Sequence, residues 1–356
     1  MMKRIWVLSI LLLFAGICSA QQDSLVWSDE FNGTGVPDPS KWGYDIGAGG
    51  WGNNEVQTYT NLYQNSRQEA GVLIIEALKT GNIWTSARLL TNNKFEFKYG
   101  RVLFRAKLPV GSGTWPALWM LGENIYTAGW PACGEIDIME HVGKDPNVIH
   151  CSVHTPSSYG STNNTKMKII NNVATEFHEY QVNWTPEKLE FSIDSVLIYT
   201  YNPAIKNSST WPFDKACFII MNIAMGGNWG SDPQYETGGK KNGIDPALSS
   251  ARMELEFVRV YKTPGMSVEE PGGKNDKKGS GDLLISPNPA NGKIQIHLPS
   301  GQDVNGAFYD ITGKDVLHFQ FKGGAQEIDI SSLNKGIYFI LAEMAGIIKT
   351  NKLIVN

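Results

Sequence analysis

Short runs of alternating apolar and polar residues, each closed by a turn signal, recur across the first two thirds of this 356-residue chain. Residues 100–108, 179–184, 189–194 and 196–201 show the pattern most clearly, and the last two flank a hairpin turn at Asp194-Ser195. A period of two sends successive side chains to opposite faces of a strand, and convincing helical stretches are few. Strands at this spacing predict an antiparallel β-sandwich. A region of more than 200 residues can bury a core large enough to stand on its own, as this chain's cysteines require. Three of them, Cys133, Cys151 and Cys217, lie beyond the leader described below, and an odd number in an exported chain argues against a disulfide scaffold.

One of the expected strands is chemically unusual. Glu135-Ile-Asp137-Ile-Met-Glu140 sets three carboxylates in a short apolar stretch. Carboxylates so close repel unless they share protons, and their pKa values are driven apart, as acid/base chemistry requires. Alternation puts Glu135 and Asp137 on one face and Glu140 on the other. A β-bulge around Ile138-Met139 returns Glu140 to the face of the other two. The plain alternative is a half-buried strand with scattered surface acids, but such acids rarely interrupt an Ile-Ile-Met run at alternate positions. Residues 143–147 (Gly-Lys-Asp-Pro-Asn) form a turn, and residues 148–154 run back antiparallel. If the turn closes near Val142 and Val148, His150 faces Glu140. Beyond the bulge, Ser152 falls opposite Asp137 and His154 opposite Glu135, within hydrogen-bonding reach. A slip of one residue undoes this register, and a solvent-facing His150 is the competing reading.

The ends of the chain carry different signals. Lys3-Arg4, the apolar run 5–17 and Cys18-Ser-Ala20 read as an export signal over residues 1–20, cleaved after Ala20. A lipid anchor at Cys18 is disfavoured because Ile17 stands where a lipobox has Gly or Ala. The run is short for a membrane span, and no later segment reaches its length. All eleven tryptophans precede residue 264, where the composition changes. Residues 264–281 are rich in Gly, Pro and charge and read as a flexible linker. They divide a region at 21–263 from a small β-sandwich domain at 282–356. Net charge is only −4, with no basic stripe beside the aromatics, which argues against a nucleic-acid partner.

Residues 25–261 resemble glycoside hydrolase family sixteen in its bulged, laminarinase-like form. The resemblance rests on Cys-Gly followed by Glu-x-Asp-x-x-Glu, together with Trp51-Gly-Asn-Asn-Glu-Val-Gln57, Ser86-Ala-Arg88, Tyr99-Gly-Arg101 and Trp115-Pro-Ala-Leu-Trp119-Met120. Asn222-Ile-Ala-Met-Gly-Gly-Asn-Trp229 and Val258-Arg-Val-Tyr261 complete it. It implies a β-jelly-roll sandwich with an open concave cleft. Further implied is a retaining endo-β-glucanase that cuts β-1,3-glucosidic bonds in laminarin-like or mixed-linkage glucans, working without a catalytic cofactor. By that resemblance Glu135 is the nucleophile, Glu140 the general acid and then base, and Asp137 the residue that tunes Glu135. Same-face carboxyls of this kind approach to roughly 5–5.5 Å, the separation of retaining enzymes. A galactan hydrolase of agarase or carrageenase type and a non-catalytic glycan-binding protein are the alternatives. The Trp51 and Trp115 motifs and the weak charge oppose the first, and the presence of both glutamates opposes the second.

Sugar rings present flat C–H faces that stack on aromatics beside amides and guanidinium groups. Trp115, Trp119 and Trp229 are the expected platforms, with Trp130 a weaker one, against the ordinary fate of a tryptophan in the core. Trp115 and Trp119, four apart in a strand, share a face. Asn54 and Arg88 match family positions that bind sugar hydroxyls on the non-reducing side, and His154 matches a site histidine. Asn53 and Arg101 have structural readings, and Gly226-Gly227 either opens the backbone to a ligand or forms a turn. No cluster has the ligand spacing of a catalytic zinc. The resemblance also implies a structural calcium held by Glu30, the backbone of Gly71 and Glu256, the last standing where relatives commonly carry Asp. The tail, with Pro287-Asn-Pro289, Asp310-Ile-Thr-Gly-Lys314 and Leu333-Asn-Lys-Gly336-Ile-Tyr338, resembles the C-terminal sorting domain of the type nine secretion system. That implies secretion or surface display through the type nine machinery, of a protein expected to be a monomer. A carbohydrate-binding module using Tyr309, Phe319 or Phe321 is the rival reading of the tail.

Overall fold

The structure, a computed structural model, describes residues 24–262, 284–286, 290–310, 314–344 and 347–355. The expected leader, the linker, the Pro-Asn-Pro motif and residues 311–313 of the tail lie outside the described residues. The chain divides into two compact units, Met1–Gly272 and Gly273–Asn356.

In the first unit the alternating runs become strands β1 (Ser24–Asp29), β2 (Gly43–Asp45), β3 (Thr58–Tyr59), β4 (Ser66–Glu69), β5 (Val72–Thr80) and β6 (Ile83–Ser86). They continue as β7 (Arg88–Leu90), β8 (Gly100–Lys107), β9 (Thr114–Gly122), β10 (Glu135–His141), β11 (Val148–His154) and β12 (Thr165–Ile169). Then follow β13 (His178–Trp184), β14 (Leu189–Ile193), β15 (Val196–Tyr201), β16 (Cys217–Met225) and β17 (Ser250–Lys262). Two one-turn helices, α1 (Ile125–Ala128) and α2 (Gly227–Gly230), fall in loops. One sheet has the order β15-β14-β13-β8-β17-β5-β6-β3, with β1 on β17 and β4 on β5; the other runs β12-β11-β10-β9-β16-β7-β2. The result is a β-sandwich of jelly-roll type.

Side-chain alternation decides what each face of the seven-stranded sheet does. In β16, Cys217, Ile219, Met221, Ile223 and Met225 enter the core between the sheets, as do Leu118 and Met120 of β9 and Ile149, Cys151 and Val153 of β11. Their neighbours in sequence therefore point outward: Trp115, Ala117 and Trp119 on β9, Asn222 on β16, His150, Ser152 and His154 on β11. Five tryptophans have no functional reading. Trp42, Trp84, Trp184 and Trp211 are buried core residues, and Trp27 packs against the same core. The hairpin at Asp194-Ser195 has both residues at positive φ, 49° and 66°, the conformation that lets a two-residue loop join twisted strands.

The bulge is where the sequence places it. Asp137 pairs with Ser152 and Glu140 with His150, so three steps on β10 match two on β11; on the other side the register shifts between Asp137 and Met139. Ile138 and Met139 both enter the core. The carbonyl of Ile138, displaced from the regular ladder, accepts a hydrogen bond from the buried Cys151 thiol at 3.3 Å.

In the second unit β18 (Leu284–Ser286), β19 (Lys293–Asp310), β20 (Asp315–Asp329), β21 (Gly336–Met344) and β22 (Ile347–Val355) form one sheet, ordered β18-β19-β21-β22 with β20 on β19. Its own core holds Ile294, Ile296, Phe308, Ile340 and Leu353. Phe319 is buried in that core and Phe321 packs against it, so neither offers a face to a sugar and the carbohydrate-binding reading of the tail loses two of its three aromatics.

Candidate active site

The bulge gathers Glu135, Asp137 and Glu140 on the outward face of β10, with side chains or whole residues only 17%, 3% and 8% exposed. Removing carboxyls from water disfavours their charge, and here three are removed together. Burial first, then the charge of Asp137, pushes Glu135 up to about 8, against the pull of His154, the Trp130 indole and Arg88. Burial raises Asp137 too, partly offset by a hydrogen bond with Glu135. Glu140 is raised well above the ordinary range, by burial and then by Asp137. The three titrate as a set rather than singly. Glu135 is the most exposed of the three and accepts a hydrogen bond from Trp130 Nε1 at 2.8 Å, and both features favour its charged form. His154 Nε2 lies 3.2 Å from Asp137 and 3.6 Å from Glu135, across the register read from the sequence. At the other end of the strand, Trp115 Nε1 donates to Glu140 Oε1 at 3.1 Å.

Trp115 and Trp229 meet edge to face at 5.5 Å, and the His150 ring meets Trp229 at 4.9 Å. Trp119 donates its indole N–H to Asn222 at 2.8 Å, and Arg88 lies between the rings of Trp119 (4.7 Å) and Trp51 (5.1 Å), ion-paired with Asp45 at 3.0 Å. Asn54, at φ 56°, is exposed and donates to Asn228 at 2.8 Å. Trp51 also has a positive φ, 48°, a costly conformation for a bulky residue and one that clusters at functional sites. Asn53 and Arg101 take structural roles. Asn53 accepts the Asn228 backbone N–H on its carbonyl at 2.7 Å, and Arg101 covers the Tyr261 ring on the other sheet. Gly226 and Gly227, at φ 62° and 80°, form a packed turn rather than an opening. A Cβ on Gly226 would sit 2.9 Å from the Lys241 carbonyl, and one on Gly227 3.0 Å from that of Asn53.

Sequence reasoning missed the support beneath Trp119. Asn222 Nδ2 donates to Tyr59 Oη at 3.0 Å, and Tyr59 donates to Glu55 at 3.3 Å. Gln57 donates to Glu55 at 2.6 Å and accepts from the Met225 backbone at 2.8 Å. Asp45, which holds Arg88, was missed as well. The only local signal was an acid and an amide two residues apart, Glu55 and Gln57, beside Trp51.

Two metal expectations change. Linear spacing shows no zinc pattern, yet Glu135, Asp137 and His154 bring donor atoms within 4.8 Å of one another. Proton sharing between two buried carboxyls beside an imidazole accounts for that convergence. The expected calcium ligands do not form a cation site as arranged. Arg259 binds both oxygens of Glu30, at 3.0 and 2.7 Å, and Arg105 binds Glu256. Two guanidinium groups already neutralise the carboxylates and would repel an ion. Gly71, at φ 81°, occupies the tight turn between β4 and β5.

A bulged strand presenting two glutamates about an aspartate, in a groove of half-exposed tryptophans, defines a carbohydrate-cleaving sandwich. Comparison with known proteins agrees: the model of glycosyl hydrolases family 16 matches residues 51–242, and the chain belongs to that family. A beta-glucanase from Rhodothermus marinus is 42% identical over 282 residues, 74% of this chain and 95% of that protein. The crystal structure of laminarinase from Flavobacterium sp. UMI-01 aligns with a TM-score of 0.62 at 43% identity, covering 67% of this chain and 100% of that one. The laminarinase structure from Rhodothermus marinus gives the same TM-score and identity over 68% of this chain and 98% of its own. The secretion system C-terminal sorting domain matches residues 284–356. The chain is therefore a glycoside hydrolase of a retaining family, carrying a type nine sorting tail that directs it outside the cell or to its surface.

Proposed function

We propose that this enzyme is an endo-β-1,3-glucanase acting on laminarin-type or mixed-linkage glucans. Glu135 attacks the anomeric carbon to form a covalent glycosyl ester, while Glu140 gives its proton to the departing glycosidic oxygen. Glu140, now ionised, takes a proton from water, whose oxygen displaces Glu135 and restores the original configuration. The single observation that carries this reading is the bulge, which puts both glutamates on one face with an indole N–H on each. Asp137 and His154 hold the shared proton near Glu135, so that the nucleophile ionises while Glu140 stays protonated. Trp115, Trp119 and Trp229 offer stacking faces, and Arg88 and Asn54 polar contacts to sugar hydroxyls.

Residues 21–263 would form the catalytic domain and 282–356 the address read by the secretion machinery, with 264–281 as spacer. Reducing-sugar release from laminarin, lichenan, agarose and carrageenan tests the substrate. Turnover of laminarin at least tenfold above agarose and carrageenan is expected. Preference for a galactan, or no turnover with glucan binding intact, overturns the reading.

A further inference from the structure

Trp229 stands on a segment with little reason to hold its shape alone. Its helix α2 is one turn long, with glycine at 226, 227 and 230, the residue type that loses most freedom on ordering. So short a helix leaves its last carbonyls without partners of their own. Its N-terminal side is tied down by backbone bonds, from the Gly226 N–H to Gly113 at 2.7 Å and from the Asn228 N–H to Asn53 at 2.7 Å. Its C-terminal side is held by Lys144, whose ammonium donates to the carbonyl of Trp229 and, at 2.9 Å, to that of Ser231. A cation at the carbonyl end of a helix is favourably placed. The carboxylates near this ammonium are engaged elsewhere. Asp232 accepts from Ser112 and Gln234, and Glu236 accepts from Ser231 and Lys241.

Lys144 lies in the turn between β10 and β11, on the hairpin that carries the catalytic bulge. Gly143 fixes the place of that turn. Its N–H donates to the Thr114 carbonyl at 2.9 Å, and a Cβ on it would lie 1.9 Å from the Gly111 carbonyl. The turn is thus packed against the segment that leads into Trp115. The same hairpin carries Glu140 and His150, and the His150 ring meets Trp229. We propose that Lys144 is a positioning residue for sugar binding. It sets the Trp229 ring against Trp115 and His150, and so holds this wall of the cleft in register with the general acid. Lys144 takes no part in the chemistry and acts through Trp229. This inference rests on the reading of Trp229 as a sugar platform.

The test is a double-mutant cycle in the full-length protein, with Lys144→Met, Trp229→Ala and the two combined, assayed on β-1,3-gluco-oligosaccharides. Trp229→Ala should raise KM about tenfold, the scale of one lost stacking contact. Lys144→Met should raise KM about fivefold with kcat within about twofold of wild type, as when binding alone is lost. The double variant should be no worse than Trp229→Ala, because Lys144 acts only through that ring. Lys144→Arg, which can still donate to both carbonyls, should bring KM back near wild type. Additive losses in the double variant, a fall in kcat at unchanged KM, or no rescue by arginine overturns the proposal. So does an unaltered Lys144→Met enzyme when Trp229→Ala is impaired. Should Trp229→Ala itself leave KM unchanged, the platform reading fails, and this inference with it.

Discussion

Replacing Glu135 with Gln should make the protein more stable as it destroys activity, and the gain should depend on pH in a defined way. The folded-state pKa of Glu135 is about 8 against an ordinary 4.5. A raised carboxyl favours its neutral form in the native state, so wild type has its full stability below about pH 4.5 and loses it as pH climbs through 8. At pH 7, about 2.5 pH units above the ordinary value, the cost is about 3 kcal/mol. That figure is an upper bound, because the substitution also removes the Glu135 hydrogen bond that partly offsets the burial of Asp137. Gln cannot ionise, and its amide oxygen still accepts the Trp130 N–H. For a domain of about 240 residues, each kcal/mol moves Tm by roughly 2–4 °C, so a gain of up to about 10 °C is expected at pH 7. Scanning calorimetry of both proteins from pH 4 to 8.5 should show curves that coincide at the acid end and separate steadily above pH 5. In parallel, kcat on laminarin should fall by several orders of magnitude, since a nucleophile acts through the transition state. A Tm difference independent of pH, or a variant less stable at pH 8, would show that Glu135 is not held against its charge and that the proton-sharing account is wrong.

Other consequences can be checked separately. Glu140→Ala should still form the glycosyl intermediate from substrates with good leaving groups, and azide should restore turnover as a β-glycosyl azide; an α-azide would point to inversion. Cys151→Ala should lower both Tm and kcat by leaving the Ile138 carbonyl of the bulge unpaired, at about 1 kcal/mol, whereas Cys151→Ser, which keeps a donor, should retain activity. Burial also pushes the Cys151 thiol up to about 12, so thiol reagents should modify it only after unfolding, as a timed labelling experiment would show. Prolonged chelation should leave Tm unchanged if arginines rather than calcium neutralise Glu30 and Glu256, and a drop restored by added calcium would reverse that conclusion.

What could be read from the sequence was the local part of the site, for a physical reason. In β10 and β11 a strict period of two and a five-residue turn leave one register that buries Ile136, Ile149 and Val153 while grouping the acids. The bulge then follows from the need to reconcile Glu140 with both. His154 beside Glu135 and Asp137 is a consequence of that same register. The parts that stayed hidden depend on contacts between distant segments. Asn222 and Tyr59 are 163 residues apart, and Arg259 and Glu30 are 229 apart. Neither pairing leaves a trace in local spacing, and a carboxylate bound by arginine looks in sequence like a carboxylate free to bind calcium. Tryptophan shows the same limit. Trp84 and Trp115 both sit in strands, and only the facing sheet decides that one is core and the other a wall of the cleft. Resemblance supplied what spacing alone withheld at Trp115 and Trp229, by tying each to a motif. It gave no warning about Asp45, which lies outside those motifs and meets Arg88 only because β2 pairs with β7.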